Sequence, residues 1–143
     1  MTNQFFTLRT RVKNLTTCHF KAMTELLILG FLFHLIGDYL FQNDWMAQNK
    51  TKDSVVAFIH ATIYSMPFYL ITTPEWWAWI FLTHLVIDRY RLAEYWIRLV
   101  NWKWDGDNFG YDESKPKWMS VWLLIIIDNT FHILINSFCI YMS

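Results

Sequence analysis

Four short patterns carry the chemistry of this chain: His34-x-x-x-Asp38, His60-x-x-x-Tyr64, His84-x-x-x-Asp88 and Asp128-x-x-x-His132. Positions i and i+4 share one face of a helix, so each pattern presents a single polar point. Three of the four join a histidine to a carboxylate. Neutral imidazole and carboxylate are ligands for zinc and other first-row divalent ions. His34, Asp38, His60, His84, Asp88, Asp128 and His132 are therefore the expected metal ligands. Three carboxylates can balance more than one divalent ion, so one to three ions are expected, zinc first, with two favoured. Two other readings stay open: a hydrogen-bonded polar network that holds helices together, or a path for protons or ions. His19 belongs to no pattern, and Cys18 and Cys139 read as two unpaired thiols.

The elements that position these residues are apolar. The chain has 143 residues, enough for one domain, with 55% hydrophobic and 20% aromatic content. That is far above ordinary globular usage. Only four glycines and three prolines argue against a turn-rich β protein. A net charge of zero gives no argument for nucleic acid. Charge is nearly absent from Leu26 to Phe41, Ser54 to Thr73, Trp76 to Ile87 and Trp118 to Met142. A membrane helix takes about 20 apolar residues. A soluble helix shows a polar face, which WLLIIIDNTFHILINSFCIYM lacks. The expected fold is all-α: an up-down bundle of four transmembrane helices with an interfacial extension of helix three.

Helix one is expected from Thr24 to Asn43 and helix two from Asp53 to Ile71, with Pro67 a late kink. Pro74 suits the start of helix three, which runs from Glu75 through Val100. Its second half, RYRLAEYWIRLV, is amphipathic and suits the interface. Helix four begins near Trp118. Residues 23–143 form the four-helix domain. Residues 1–22 are a basic N-terminal extension that either lies on anionic headgroups or precedes a start at Met23. Lys and Arg crowd the loops after helices one and three, which marks that side as cytoplasmic. All four polar points lie toward it, most of their residues roughly 5 to 15 Å below the surface at 1.5 Å per residue, with His132 one turn deeper than Asp128. A central Asp costs about 2.5 to 3.5 kcal/mol on insertion scales, and bound cations would offset that cost.

Weaker signals read blandly. DGDNFG, Asp105 to Gly110, has Phe109 and Pro116 where a calcium loop needs acidic ligands, so it reads as a solvated turn. Lys50, Lys52, Arg89 and Arg91 could hold a phosphate or simply be positive-inside charges. Gln42 and Asp44 read as helix-end residues.

HLIGDYLFQNDWMAQNK, the His-x-x-x-Tyr of helix two, HLVIDRYR and DNTFH resemble a family of small bacterial and phage inner-membrane proteins of unknown function, over about Met23 to Ser143. The pattern is also similar to membrane-bound metal-dependent hydrolases. More remotely it is similar to the zinc phospholipases C and single-strand-specific zinc nucleases. Those soluble enzymes also use an N-terminal Trp as a ligand, which nothing here matches. The resemblance implies hydrolysis of a phosphoester or phosphodiester at a di-metal site near the cytoplasmic face. Asp38 or Asp88 would bridge the ions, and Tyr64 would donate to an oxyanion or hydrogen-bond a ligand. A phospholipid headgroup or a nucleotide is the expected substrate, and the bacterial inner membrane the expected location of a multi-pass protein. The alternative is a non-enzymatic membrane protein with a polar core, either ion- or proton-conducting or a phage accessory protein. The partners expected are the bilayer, further copies of the chain, or a host membrane protein.

Overall fold

The structure, a computed structural model, describes residues 20–143. Arg9, Arg11, Lys13, Cys18 and His19 of the basic segment lie outside the described residues. Six helices and no strand occur among the described residues. Helix α1 covers residues 20–35 and widens into a π turn, Ile36–Leu40. The others are α2 (Asp44–Asn49), α3 (Ser54–Ser65), α4 (Pro74–Tyr90), α5 (Leu92–Val100) and α6 (Lys117–Met142).

Local chemistry sets the boundaries. Asn43 caps α2, its side chain accepting from the Met46 amide at 2.9 Å, and Asp53 caps α3 through the Val55 amide at 2.7 Å. Helix α3 gives way at Ser65 to the 3-10 segment Met66–Leu70, because Pro67 has no N–H to continue the α pattern. Pro74 opens α4 in its first turn.

Two corrections to the expected helices follow. Helix three does not run unbroken to Val100. Arg91 adopts the left-handed conformation, φ 53° and ψ 46°, and separates α4 from α5. The loop after helix one is not bare but contains α2. Of the four expected spans, two are long and apolar enough to cross a membrane, Phe20–Leu40 and Lys117–Met142. The apolar run of helix two, Ser54–Leu70, falls short, and α4 carries Glu75, Asp88 and Arg89 within 17 residues. Only 17% and 22% of the two spans' apolar stretches are buried, which distinguishes them from core helices of a water-soluble bundle.

The helices pack with their polar groups inward. His34, His60, His84, Asp88, His132 and Asn136 are buried, while Phe31, Leu32, Phe58, Leu82, Ile126 and Phe138 are exposed. This reverses the usual arrangement in water. A small apolar core of Tyr64, Phe68, Ile80, Cys139 and Ile140 closes one end. At that end the Thr73 amide donates to Ser143 Oγ at 2.6 Å. At the other end Arg89 Nη1 donates to the Thr51 carbonyl at 2.8 Å, tying the α2–α3 loop to the end of α4.

Residues 101–116 fold back on α5. Asn101 Nδ2 donates to the Gly110 carbonyl at 3.0 Å, and buried Asn108 donates to the carbonyls of Asp112 and Lys115 at 2.8 and 2.9 Å. Asp112 accepts from the Ser114 hydroxyl and amide, which hold its carboxyl down to about 2. Asp105 and Asp107 are exposed. Gly110 has φ 85°, and a Cβ there would stand 2.9 Å from the Arg98 backbone. Gly110→Ala is expected to cost about 1 to 3 kcal/mol, read as a lower midpoint of thermal unfolding in detergent.

Candidate metal centre

The π turn, α3, α4 and α6 each contribute one side of a buried layer. Five of the seven expected ligands sit at its centre: Asp38, His60, His84, Asp88 and His132 are all less than 8% exposed. His60 Nε2 lies 3.0 Å from His84 Nε2, and 3.2 Å from both Asp38 Oδ1 and Asp88 Oδ2. His84 Nε2 lies 3.0 Å from Asp88 Oδ2 and 3.7 Å from Asp38 Oδ1. Four donors about a zinc ion at 2.0 to 2.1 Å stand about 3.3 Å apart at tetrahedral angles. These five separations, 3.0 to 3.7 Å, bracket that figure. Asp38 Oδ1 and Asp88 Oδ2 are buried with no hydrogen bond of good geometry among the described residues, although Lys50 Nζ stands 2.9 Å from the latter. Two buried carboxylate oxygens at the focus of two imidazoles, with one ammonium between them, leave negative charge that a cation would satisfy. The residues present therefore fit a metal ion.

A second group shares Asp88: with Asp128 and His132 it also offers three ligand atoms within 4.8 Å of one another. His132 Nε2 is 3.5 Å from Asp88 Oδ1 and 3.4 Å from Asp128 Oδ2. One hydrogen bond links the two groups. His84 Nδ1 and His132 Nδ1 are 3.2 Å apart, so neutral rings share one proton there. Only one of the two can then turn a bare Nε2 toward a cation. If His84 serves the four-atom group, its Nδ1–H donates to His132, which offers Nε2–H to the carboxylates. With the proton on His132 the roles reverse, so one Nδ1–H decides which group is ready. The group of Asp38, His60, His84 and Asp88 offers four ligand atoms against three and is the better filled.

His34 and Tyr64 are drawn into something else. Asn136 Nδ2 donates to Tyr64 Oη at 2.6 Å, so the phenol donates to His34 Nδ1 at 2.9 Å. His34 Nε2–H then donates to Asn129 Oδ1 at 3.0 Å, and Asn129 Nδ2 to Tyr39 Oη at 2.5 Å. This assigns the tautomer of His34 from its partners. Both its nitrogens are engaged, it stands outside the two ligand groups, and Asp38 Oδ2 at 3.4 Å is its neighbour. The Tyr64 ring stacks on His84 with centroids 3.5 Å apart and holds that ligand flat.

Three carboxylates, Asp38, Asp88 and Asp128, line a pocket of about 310 Å³, with Gln42, Lys50 and Asn129 beside them and Leu124 and Ile125 as an apolar wall. The four buried histidines are not among its lining residues. Tyr64 lines no part of it. Lys50, at the end of α2, reaches Asp88 at 2.9 Å and His60 Nε2 at 3.3 Å. Burial lowers the ammonium's proton affinity, but Asp88 and then Asp38 outweigh it and hold the pKa above the ordinary lysine value.

Sequence reasoning did not find Asn129, Asn136 or Tyr39. The asparagines were findable: Asp128, His132 and Asn136 recur every four residues, and Asn129 borders the same face of α6. Nothing in the spacing indicates Tyr39, which depends on the π turn.

Fold and site define an all-α protein with two membrane-length helices and a buried His/carboxylate layer able to hold a metal ion. The chain belongs to the family described as "Protein of unknown function (DUF3307)", whose model matches residues 26–143. No curated protein and no solved structure matches it.

Proposed function

We propose that this protein is a membrane-embedded, metal-dependent hydrolase of phosphoesters. The observation that carries the reading is the spacing of Asp38 Oδ1, His60 Nε2, His84 Nε2 and Asp88 Oδ2, 3.0 to 3.7 Å over the five measured pairs. A bound divalent ion would polarise a phosphoryl oxygen and acidify a water toward neutral pH.

The chain's own residues supply the rest. Asp38 and Asp88 would hold the ion together with His60 and His84, and Asp88 turns its second oxygen toward His132. Asp128, at 28% side-chain exposure, faces the pocket and stays reachable from it. The Lys50 ammonium attracts the phosphoryl group, and Asn129 can donate to it. Tyr64 is a positioning residue that acts through His34 and His84. The exposed apolar belt supports a bilayer location for all the long helices, including α3 and α4, and a multi-pass inner-membrane protein of a bacterium or its phage fits that belt. A second reading rests on the chain from Asn136 through Tyr64, His34 and Asn129 to Tyr39: a polar core that stabilises the bundle or relays protons, without hydrolysis.

Metal content separates the two. Detergent-purified protein is expected to hold one tight divalent ion per chain and a second, weaker one. It is expected to hydrolyse bis-p-nitrophenyl phosphate, to lose that activity to a chelator and to regain it with zinc. A chain without metal, or hydrolysis indifferent to the chelator, overturns the reading.

A further inference from the structure

A second cavity, of about 520 Å³, lies beside the carboxylate pocket and is bordered by Arg89, Arg91, Glu94, Arg98 and Trp104. The two cavities share Thr51 and Arg91 in their walls, so they adjoin. Three guanidinium groups face one carboxylate here, which leaves the cleft positive. Two of the three are tethered. Arg89 donates to Ser54 Oγ at 3.0 Å and the Thr51 carbonyl at 2.8 Å, and Arg98 donates to Glu94 Oε1 at 2.9 Å and the Trp104 carbonyl at 2.8 Å. Arg91 is the most loosely held of them, its side chain 45% exposed, with Glu94 at 3.1 Å and the Phe109 ring centroid 5.7 Å from its guanidinium carbon.

Arg91 is also the residue held at φ 53° between α4 and α5. A non-glycine residue in this region is uncommon, and glycine would fill the same turn without strain. The guanidinium, placed where two cavities meet, gives a reason for arginine there. A single phosphate over the carboxylate layer would leave the arginine cleft unfilled. Two linked anionic groups would reach both.

We infer that the arginine cleft is a second anion subsite, and that the substrate carries two adjacent anionic groups, as in a diphosphate or a phosphorylated lipid headgroup bearing a further acidic group. This rests on the hydrolase reading: the proximal phosphoryl group lies over Asp38, Asp88 and Lys50, and the distal anion pairs with Arg91. Bidentate guanidinium contact suits a phosphate oxygen pair.

The test is calorimetric titration of metal-loaded protein in detergent with orthophosphate and with methylenediphosphonate, which cannot be hydrolysed. The diphosphonate is expected to bind about tenfold tighter or more, the scale of one charge-assisted contact. Arg91→Gly should bring the two affinities to within about twofold, with unchanged metal content and an unchanged or higher unfolding midpoint. Lys117→Gln, an exposed charge away from both cavities, should keep the discrimination. Equal affinities in the wild type, or discrimination that survives Arg91→Gly, overturn the subsite while metal content and hydrolysis stand. Failure of the hydrolase reading shows instead as absent metal. Titration with ADP and with diacylglycerol diphosphate in mixed micelles then tells a soluble from a bilayer source of the same two-anion chemistry.

Discussion

Asp88→Asn is expected to leave the purified protein without its tight metal ion and to abolish phosphodiester hydrolysis. Asp88 is the one carboxylate common to both ligand groups. Its Oδ2 stands 3.0 Å from His84 and 3.2 Å from His60, while its Oδ1 faces His132 at 3.5 Å. The amide keeps the shape but removes the charge that offsets a divalent ion and the Lys50 ammonium. Loss of a residue that merely orients a ligand costs about 10- to 100-fold in affinity or activity. Loss of the shared ligand itself should exceed about 100-fold in metal affinity, read by elemental analysis after dialysis. Asp128→Asn supplies the contrast. It removes a ligand of the second group only, so the tight ion should remain while hydrolysis falls. If Asp88→Asn keeps a full complement of metal, the ion binds elsewhere and the proposed chemistry has no site.

The histidine–carboxylate pairs were legible because helix geometry is rigid. Residues four apart on an apolar helix have one face to share, and a buried charge on that face needs a partner. That reasoning placed Asp38, His60, His84, Asp88 and His132 near one another, and the structure brings them together. What it missed depends on local breaks in regularity. In the π turn at Ile36–Leu40 the two residues stay neighbours at 3.4 Å but divide their roles: Asp38 Oδ1 goes to the ligand group, and His34 bonds to Tyr64 and Asn129. No residue in IGDYL signals a π turn. Nor does the sequence signal the turn at Arg91, where neither glycine nor proline stands. Lys50 reads in the sequence as a phosphate-holding or a positive-inside charge, with no carboxylate partner indicated. Its place against Asp88 follows from the short helix α2, whose Asn43 cap is readable but whose direction is not. Exposed apolar residues were legible as membrane stretches in composition, yet length separated α1 and α6 from the shorter apolar runs.

Gly37→Ala is expected to disturb both stability and metal binding. A Cβ at Gly37 would stand 2.5 Å from Tyr64 Cδ2 and 3.2 Å from Tyr64 Cα. The Cα cannot yield without moving α3, and Tyr64 is fully buried between His34, Asn136 and the His84 ring. The close approach lets the π turn lie against α3 and carries the neighbouring Asp38 to within 3.2 Å of His60 Nε2. Forcing the two apart should cost about 1 to 3 kcal/mol, as overpacking does. It should also lengthen the Asp38–His60 separation, so the tight ion is lost more readily to a chelator. Gly30→Ala is the matched control on the same helix. Its Cβ would meet Ile140 Cδ1, the tip of a side chain that can rotate, one turn and more from the ligand layer. That variant is expected to lose some stability while its metal affinity equals the wild type's. If Gly37→Ala unfolds at a lower temperature yet holds its ion as tightly as Gly30→Ala, the π turn serves packing alone, and Asp38 reaches the layer without help from the glycine beside it.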